Sequence, residues 1–175
     1  DTNIYKLLEY GDFDGVILLA NTFHLKMEFD YLRKVIKEKN LPAVSLEYQL
    51  PDIEFWGSDN YTGMYELCTH LVESHGVRDV AYISGPKDNA ESDIRRMALE
   101  DVLGEFGVSF KEENVIYCNW NYYEVERNLP EWIAKRSKLP DAFVCANDVM
   151  AMATCEVLDR LGISVPEDVK VTGFD

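Results

Sequence analysis

Apolar and polar positions alternate in short blocks along the whole chain, and each block carries the spacing of a strand or of a helix. Phe13-Asp-Gly-Val-Ile-Leu-Leu-Ala20 is a compact apolar run of strand length. Leu25, Phe29, Leu32, Val35 and Ile36 recur at helical spacing among charges, which predicts a helix over 25–40 stopped by Pro42. Ala43 to Tyr48 is the next short strand. Thr2 to Tyr10 predicts a short helix ahead of the first strand, Gln49 to Glu54 a loop, and Phe55 to Ser58 an extended crossing segment.

From there the signals sharpen. Asp59 or Asn60 stands where a helix N-cap belongs, the helical spacing runs to about Ser74, and Gly76 supplies a C-terminal stop. Val80-Ala-Tyr-Ile-Ser84 reads as a buried strand ending in the turn Gly85-Pro86. Ser92 is the expected cap of a helix carrying Ile94, Met97, Ala98, Val102, Leu103 and Phe106, with Gly107 as its stop. Asn114 to Cys118 is a strand, and Tyr122 to Arg136 is helical, with Pro130 expected to kink it or start a second segment. Ala142 to Ala146 is a strand, Asn147 to Leu161 a helix closed by Gly162, and Val169 to Phe174 the last strand.

Repeated β-α units with short connections predict an α/β fold of the doubly wound kind, its parallel sheets covered by helices on both faces. Val169 to Phe174 would be a central strand in such a sheet, and only Asp175 follows it. The first half also opens at what reads as a second or third β-α unit. Both features lead us to expect a piece of a longer chain, incomplete as a fold.

Composition narrows the function. At 175 residues and 47% hydrophobic, with 10 Tyr, 8 Phe and 3 Trp, the chain can bury one good core or two smaller lobes. A net charge of −15, from 32 acidic against 17 basic side chains, repels phosphate backbones, so these residues are not expected to bind nucleic acid by themselves. Apolar runs such as Val16 to Ala20 are too short to span a bilayer, no charged-then-apolar leader opens the chain, and no membrane contact is expected. Cys68, Cys118, Cys145 and Cys155 form no C-x-x-C pair and read as buried free thiols in a reducing, cytoplasmic compartment. His24, His70 and His75 lie at no metal-ligand spacing, so neither a metal nor a cofactor is expected. His70 and His75 fall near the end of one helix, where a cation suits the dipole.

Catalytic signatures are missing: no phosphate-cradling glycine loop and no G-x-S-x-G elbow occur, so the chain is not expected to be an enzyme. What it offers is polar groups at strand ends, where parallel α/β sheets line their ligand crevices. Asn147-Asp148 and Asp175 stand at such ends, although Asn147 also suits a helix cap. Arg95 and Arg96 follow Ser92 in the first turns of a helix, where a cation opposes the dipole at about 0.3–1 kcal/mol each. Asp93 or Glu100 can offset them locally, and Arg96 is the better candidate for reaching into a crevice, its fork suited to hydroxyls or a carboxylate. Trp120, in Asn119-Trp-Asn-Tyr-Tyr123, is a core contact or a stacking platform. Arg96, Asn147, Asp175 and Trp120 together supply a donor fork, an amide, a carboxylate and an aromatic plate, which suits a small polar ligand.

Six landmarks carry a family resemblance: Phe13-Asp-Gly-Val-Ile-Leu, Ser58-Asp-Asn-Tyr-Thr-Gly63, His70-Leu with Gly76-Val-Arg-Asp-Val-Ala-Tyr-Ile-Ser-Gly-Pro86, Ser92-Asp-Ile-Arg-Arg96, Pro140-Asp-Ala-Phe-Val-Cys-Ala-Asn-Asp-Val-Met-Ala151 and Val165-Pro-Glu-Asp-Val-Lys-Val-Thr-Gly-Phe-Asp175. In this order and spacing they resemble the effector-binding core of the LacI/GalR family of bacterial transcription regulators, which has the periplasmic-binding-protein type I fold. The resemblance implies two lobes, with 1–57 part of the N-terminal one and 58–175 most of the C-terminal one. It implies a small-molecule effector, a sugar or related polar metabolite, held between the lobes. It also implies a homodimer that reaches operator DNA only through an N-terminal helix-turn-helix absent from this sequence.

By the same resemblance Arg96 is the ligand-gripping arginine, Asn147 and Asp175 the ligand-binding amide and carboxylate, and Trp120 the stacking aromatic. Glu47 matches an acidic contact from the first lobe, Ser92 adds a hydroxyl, and Ala20-Asn21-Thr22 is a further candidate. Leu99 stands where the family commonly has glycine, and Gly76-Val-Arg78 replaces the usual Gly-His-Arg, which marks a divergent branch. A sugar-binding protein of a transporter, and the sensor of another output module such as a diguanylate cyclase or an AraC-type domain, remain open beside the regulator. So does a Rossmann-type enzyme.

Overall fold

The computed structural model describes residues 6–19 and 26–175. The chain forms two compact units, Asp1–Ser58 and Asp59–Asp175. In the first, a short helix α1 (Leu7–Tyr10) precedes β1 (Val16–Leu19), α2 (Lys26–Glu38), β2 (Ala43–Leu46) and β3 (Glu54–Trp56). All strand pairs here are parallel, in the order β1-β2-β3, with Val16 opposite Ala43 and Val44 opposite Glu54. Leu18 of β1 packs with Leu32 and Ile36 of α2 and with Leu50. The Phe29 and Tyr48 rings stack at 5.2 Å beside that core. Residues 2–5 of the expected first helix and Ala20 of the expected strand lie outside the described residues, as do Asn21 and Thr22.

The second unit holds α3 (Asn60–His75), β4 (Val80–Ser84), α4 (Ala90–Glu105), β5 (Val115–Tyr117), α5 (Tyr122–Ala134), β6 (Ala142–Cys145), α6 (Asp148–Arg160) and β7 (Lys170–Thr172). Its sheet is parallel throughout, in the order β5-β4-β6-β7. From β4 the chain crosses to β5 on one side, returns past β4 to β6, and continues outward to β7. Right-handed crossovers in opposite directions put their helices on opposite faces; α3 packs on α4, and α5 on α6. Every residue of β4 and β6 is accordingly buried. β7, expected as a central strand, pairs only with β6 among the described residues.

Four local expectations change. β3 is a sheet strand paired with β2, where a loop to Glu54 and an extended crossing segment from Phe55 were expected. Asn89, not Ser92, caps α4: its side chain accepts from the Ser92 backbone N–H, and Ser92 is already the third helical residue. Asn and Ser cap about equally well, so the tie is settled by where the strand-to-helix turn leaves the first free N–H groups. Pro130 neither ends nor divides α5, which is continuous through it. An interior proline costs about 3 kcal/mol. Complete burial of Val125 and Leu129 on the same helix contributes about 1.5–3 kcal/mol each and outweighs it. Cys68, Cys118 and Cys145 are buried free thiols, whereas Cys155 is only partly covered.

Candidate functional site

Switching direction between β4 and β6 opens a crevice at their carboxyl ends, the place where open α/β sheets bind ligands. Three helices start on that rim, each capped by an asparagine: Asn89 for α4, Asn121 for α5 and Asn147 for α6. Their N-terminal N–H groups and dipoles favour electron-rich oxygen atoms there.

Arg95 of α4 occupies the crevice. It is 6% exposed. Its Nε donates to Asn60 Oδ1 at 2.8 Å and its Nη1 to the Ala146 carbonyl, at the end of β6, at 2.5 Å. Asp175 Oδ1 lies 3.8 Å from the same Nη1, and Glu91 Oε2 3.9 Å from Nη2. The guanidinium also sits 4.4 Å from the Phe174 ring centre and 5.4 Å from that of Trp120. A buried cation is tolerable only when hydrogen-bonded and paired, and these contacts supply both conditions.

The aromatic neighbours are seated by close approach to glycine. A Cβ on Gly85 would stand 2.5 Å from the Trp120 indole, and one on Gly63 would stand 2.8 Å from the Phe174 ring. Trp120 itself has φ of 59° and Asn119 φ of 51°, a left-handed pair closed by the Asn121 N–H donating to the Cys118 carbonyl at 2.7 Å. Such backbone costs on the order of 1–3 kcal/mol per residue and gathers at ligand sites. Here it aims the indole back over the β4 end.

The other expected residues separate into two groups. Asn147 and Asp175 are at the crevice. Asn147 Oδ1 accepts from the Met150 N–H, while its Nδ2 makes no hydrogen bond among the described residues and remains a donor for a ligand. The Asp175 carboxylate is half-exposed beside Arg95. Ser92 lies one layer beneath, fully buried, its Oγ 3.2 Å from Ser84 Oγ, so its hydroxyl faces the end of β4. Glu47 belongs to the first unit, where its carboxylate accepts from the N–H and Oγ of Ser58, both at 3.1 Å.

Arg96 is elsewhere, away from the position expected of it. Its Nε donates to Glu100 at 2.7 Å, its Nη2 to Glu112 at 2.8 Å and its Nη1 to the Tyr117 hydroxyl at 3.1 Å. The reason is helix phase. Arg95 shares the face of the buried residues Ser92, Ala98, Leu99 and Val102, whereas Arg96 turns outward with Glu100, one turn on. That periodicity was available in the sequence and points to Arg95. Asn60 and Phe174 were also passed over, Asn60 because it reads as a helix start and Phe174 as strand interior.

Burial pushes the Cys118 thiol up to about 12 and also raises Cys145, so neither is a nucleophile at neutral pH. No group of three or more potential metal ligands occurs among the described residues. A groove of about 510 Å³ in the first unit, lined by Asp30, Arg33, Lys37, Asp52 and Ile53, is a weaker candidate, because Arg33 is already committed to Asp52 and to the Pro51 carbonyl. The cluster at the β4 and β6 ends gathers one cation, two carboxylates (Asp175 and Glu91), two amides (Asn60 and Asn147) and two rings.

Known proteins give this arrangement a family. The profile described as "Periplasmic binding protein-like domain" matches residues 69–175, and the chain belongs to that family. Its relatives are transcription regulators of the LacI type rather than enzymes. The HTH-type transcriptional repressor PurR of Erwinia tasmaniensis is 26% identical over 166 residues, covering 93% of this chain and 47% of the repressor. The HTH-type transcriptional regulator CelR of Thermobifida fusca is 30% identical over 166 residues, with the same 93% and 47% coverage. Among solved structures, a CelR–cellobiose complex matches with a TM-score of 0.78 at 29% identity, over 98% of this chain and 52% of that one. The chain thus spans about half the length of the curated relatives it matches. No helix among the described residues is long and apolar enough to cross a membrane.

Proposed function

We propose that this chain is the effector-binding core of a LacI/GalR-type transcription regulator, and that it senses a sugar or a related small polar metabolite. The observation that carries the proposal is the Arg95 cluster: a buried guanidinium at a topological switch point, with the Asp175 carboxylate 3.8 Å away and the Trp120 and Phe174 rings within 5.4 Å. Planar rings beside charged hydrogen-bonding groups suit a ligand with an apolar face and a rim of hydroxyls. The gripping role passes from Arg96 to Arg95. Asp175 and the Asn147 amide accept from and donate to ligand hydroxyls, Trp120 stacks on the ring, and buried Ser92 supports the crevice from beneath.

The ligand acts by population shift. It binds one arrangement of the protein more tightly than another, and the difference in affinity biases an attached DNA-binding helix-turn-helix. That output element, the homodimer that would present it to operator DNA, and a cytoplasmic location are parts of the same proposal. The likeness to CelR, solved with cellobiose, favours a sugar over other polar metabolites.

Titration calorimetry with cellobiose, then with a panel of mono- and disaccharides and nucleosides, tests the reading. At least one compound is expected to bind, with affinity falling tenfold or more in Asp175→Asn and Arg95→Lys and unchanged in Arg96→Ala. Wild-type affinity in both crevice variants would remove the site.

A further inference from the structure

One chemical grouping lies outside the crevice and is not used by it. His70 and His75 are both exposed at the C-terminal end of α3, and their Nε2 atoms stand 3.0 Å apart, with ring centres 4.8 Å apart. Residues five apart point about 140° away from each other on a regular helix, so sequence spacing gives no hint of this contact. It forms because α3 ends at His75. Gly76 adopts φ of 65°, and the Gly76 and Val77 N–H groups both donate to the Leu71 carbonyl, which fixes the backbone on which the second ring is mounted.

We propose that His70 and His75 form a two-imidazole site for a divalent late transition-metal ion, Ni²⁺ or Cu²⁺ by preference. Two metal–nitrogen bonds of about 2.0–2.1 Å that meet at a right angle separate their nitrogens by about 2.9 Å, against about 3.3 Å for a tetrahedral pair. The 3.0 Å contact lies within a few tenths of an ångström of both values, and the affinity order of divalent metals at imidazole nitrogens favours Cu²⁺ and Ni²⁺. At least one Nε2 must already present a lone pair, because the contact joins a single N–H to an acceptor. When a metal enters, the donor ring moves its proton to Nδ1 and both Nε2 lone pairs turn onto the ion. No third His, Cys, Asp or Glu completes the group among the described residues, so water fills the remaining coordination positions. Glu66 and Glu73, one turn on either side of His70, add to a net charge of −15 that concentrates cations at this surface.

Calorimetric titration of chelator-treated protein with NiCl₂ is the test, run on wild type and on His70→Ala, His75→Ala and His24→Ala variants in a Cys155→Ser background. Circular dichroism checks that each is folded. The expected result is one Ni²⁺ equivalent in wild type and in His24→Ala, and at least tenfold weaker binding in both His70→Ala and His75→Ala. Affinity unchanged in either of those two variants, or no binding in wild type, overturns the site.

Discussion

Two strands of similar composition, Val16-Ile-Leu-Leu19 in the first unit and Val80-Ala-Tyr-Ile-Ser84 in the second, end up in different surroundings. In β4 every side chain is buried. In β1, Leu18 is buried while its neighbours Ile17 and Leu19 are 70% and 57% exposed. Alternate residues face opposite sides of a sheet, so among the described residues β1 has one face on the α2 core and one face largely exposed, whereas β4 is covered on both. An apolar run shows what a strand is suited to touch; the elements that pack on it decide what it does touch. The largest expected consequence is in stability. Phe143→Ala, at a fully buried position of β6 where the ring meets Trp132 edge-on at 5.8 Å, should lower the unfolding free energy by about 3–5 kcal/mol. Ile17→Ala should change it by less than about 0.5 kcal/mol. Urea titration followed by tryptophan fluorescence reads both, and comparable losses would mean that the β1 face is covered after all.

A second contrast, between adjacent residues of one helix, is sharper. Arg95→Ala takes a charged donor from the buried Ala146 carbonyl and from Asn60, and should destabilise by about 1–3 kcal/mol. Arg96→Ala breaks only partly exposed ion pairs with Glu100 and Glu112, and should lose less than about 1 kcal/mol. Thermal unfolding of the two variants ranks them directly. The opposite order would mean that the two side chains have exchanged roles.

That contrast also shows how far the sequence could be read. Strands β2, β4, β5, β6 and β7 were legible because short apolar runs between glycine, proline and asparagine have few other uses, whereas β3 falls where a loop and an extended crossing segment were expected. Asn147 and Asp175 were expected at strand ends because a doubly wound sheet gathers its polar ends on one rim, and their positions beside β6 and β7 agree with that, while their ligand role belongs to the proposal. Arg96 was favoured by its position relative to an expected Ser92 cap, whereas helix phase puts Arg95 on the buried face and Arg96 outside it. Asn89 takes that cap, and the phase places Arg95 with Ala98 and Val102. Asn119 is a residue type that tolerates the left-handed region, but the left-handed backbone at Trp120 had no local signal. What sets it is packing: the indole fits over Gly85, a contact between residues 35 positions apart in the sequence.

The smallest effect expected is a dependence on acid at the Arg96–Glu112 pair. Hydrogen bonds from Arg96, then from Tyr117, hold the Glu112 carboxyl below the usual carboxylate range. A carboxyl whose pKa is lower folded than unfolded adds stability above its unfolded value and loses it as pH falls through the folded one. Stability should therefore decline in acid slightly more steeply in wild type than in Arg96→Ala, where Glu112 loses its main donor. The exposure of Glu112 keeps the difference small, through screening by water and salt. Melting temperatures of wild type, Arg96→Ala and Glu112→Gln between pH 3 and pH 7 measure it. Both variants should show shallower slopes, Glu112→Gln the shallower of the two because Tyr117 still donates to Glu112 in Arg96→Ala, and parallel curves for all three proteins would mean that the Arg96–Glu112 pair carries no net interaction in solution.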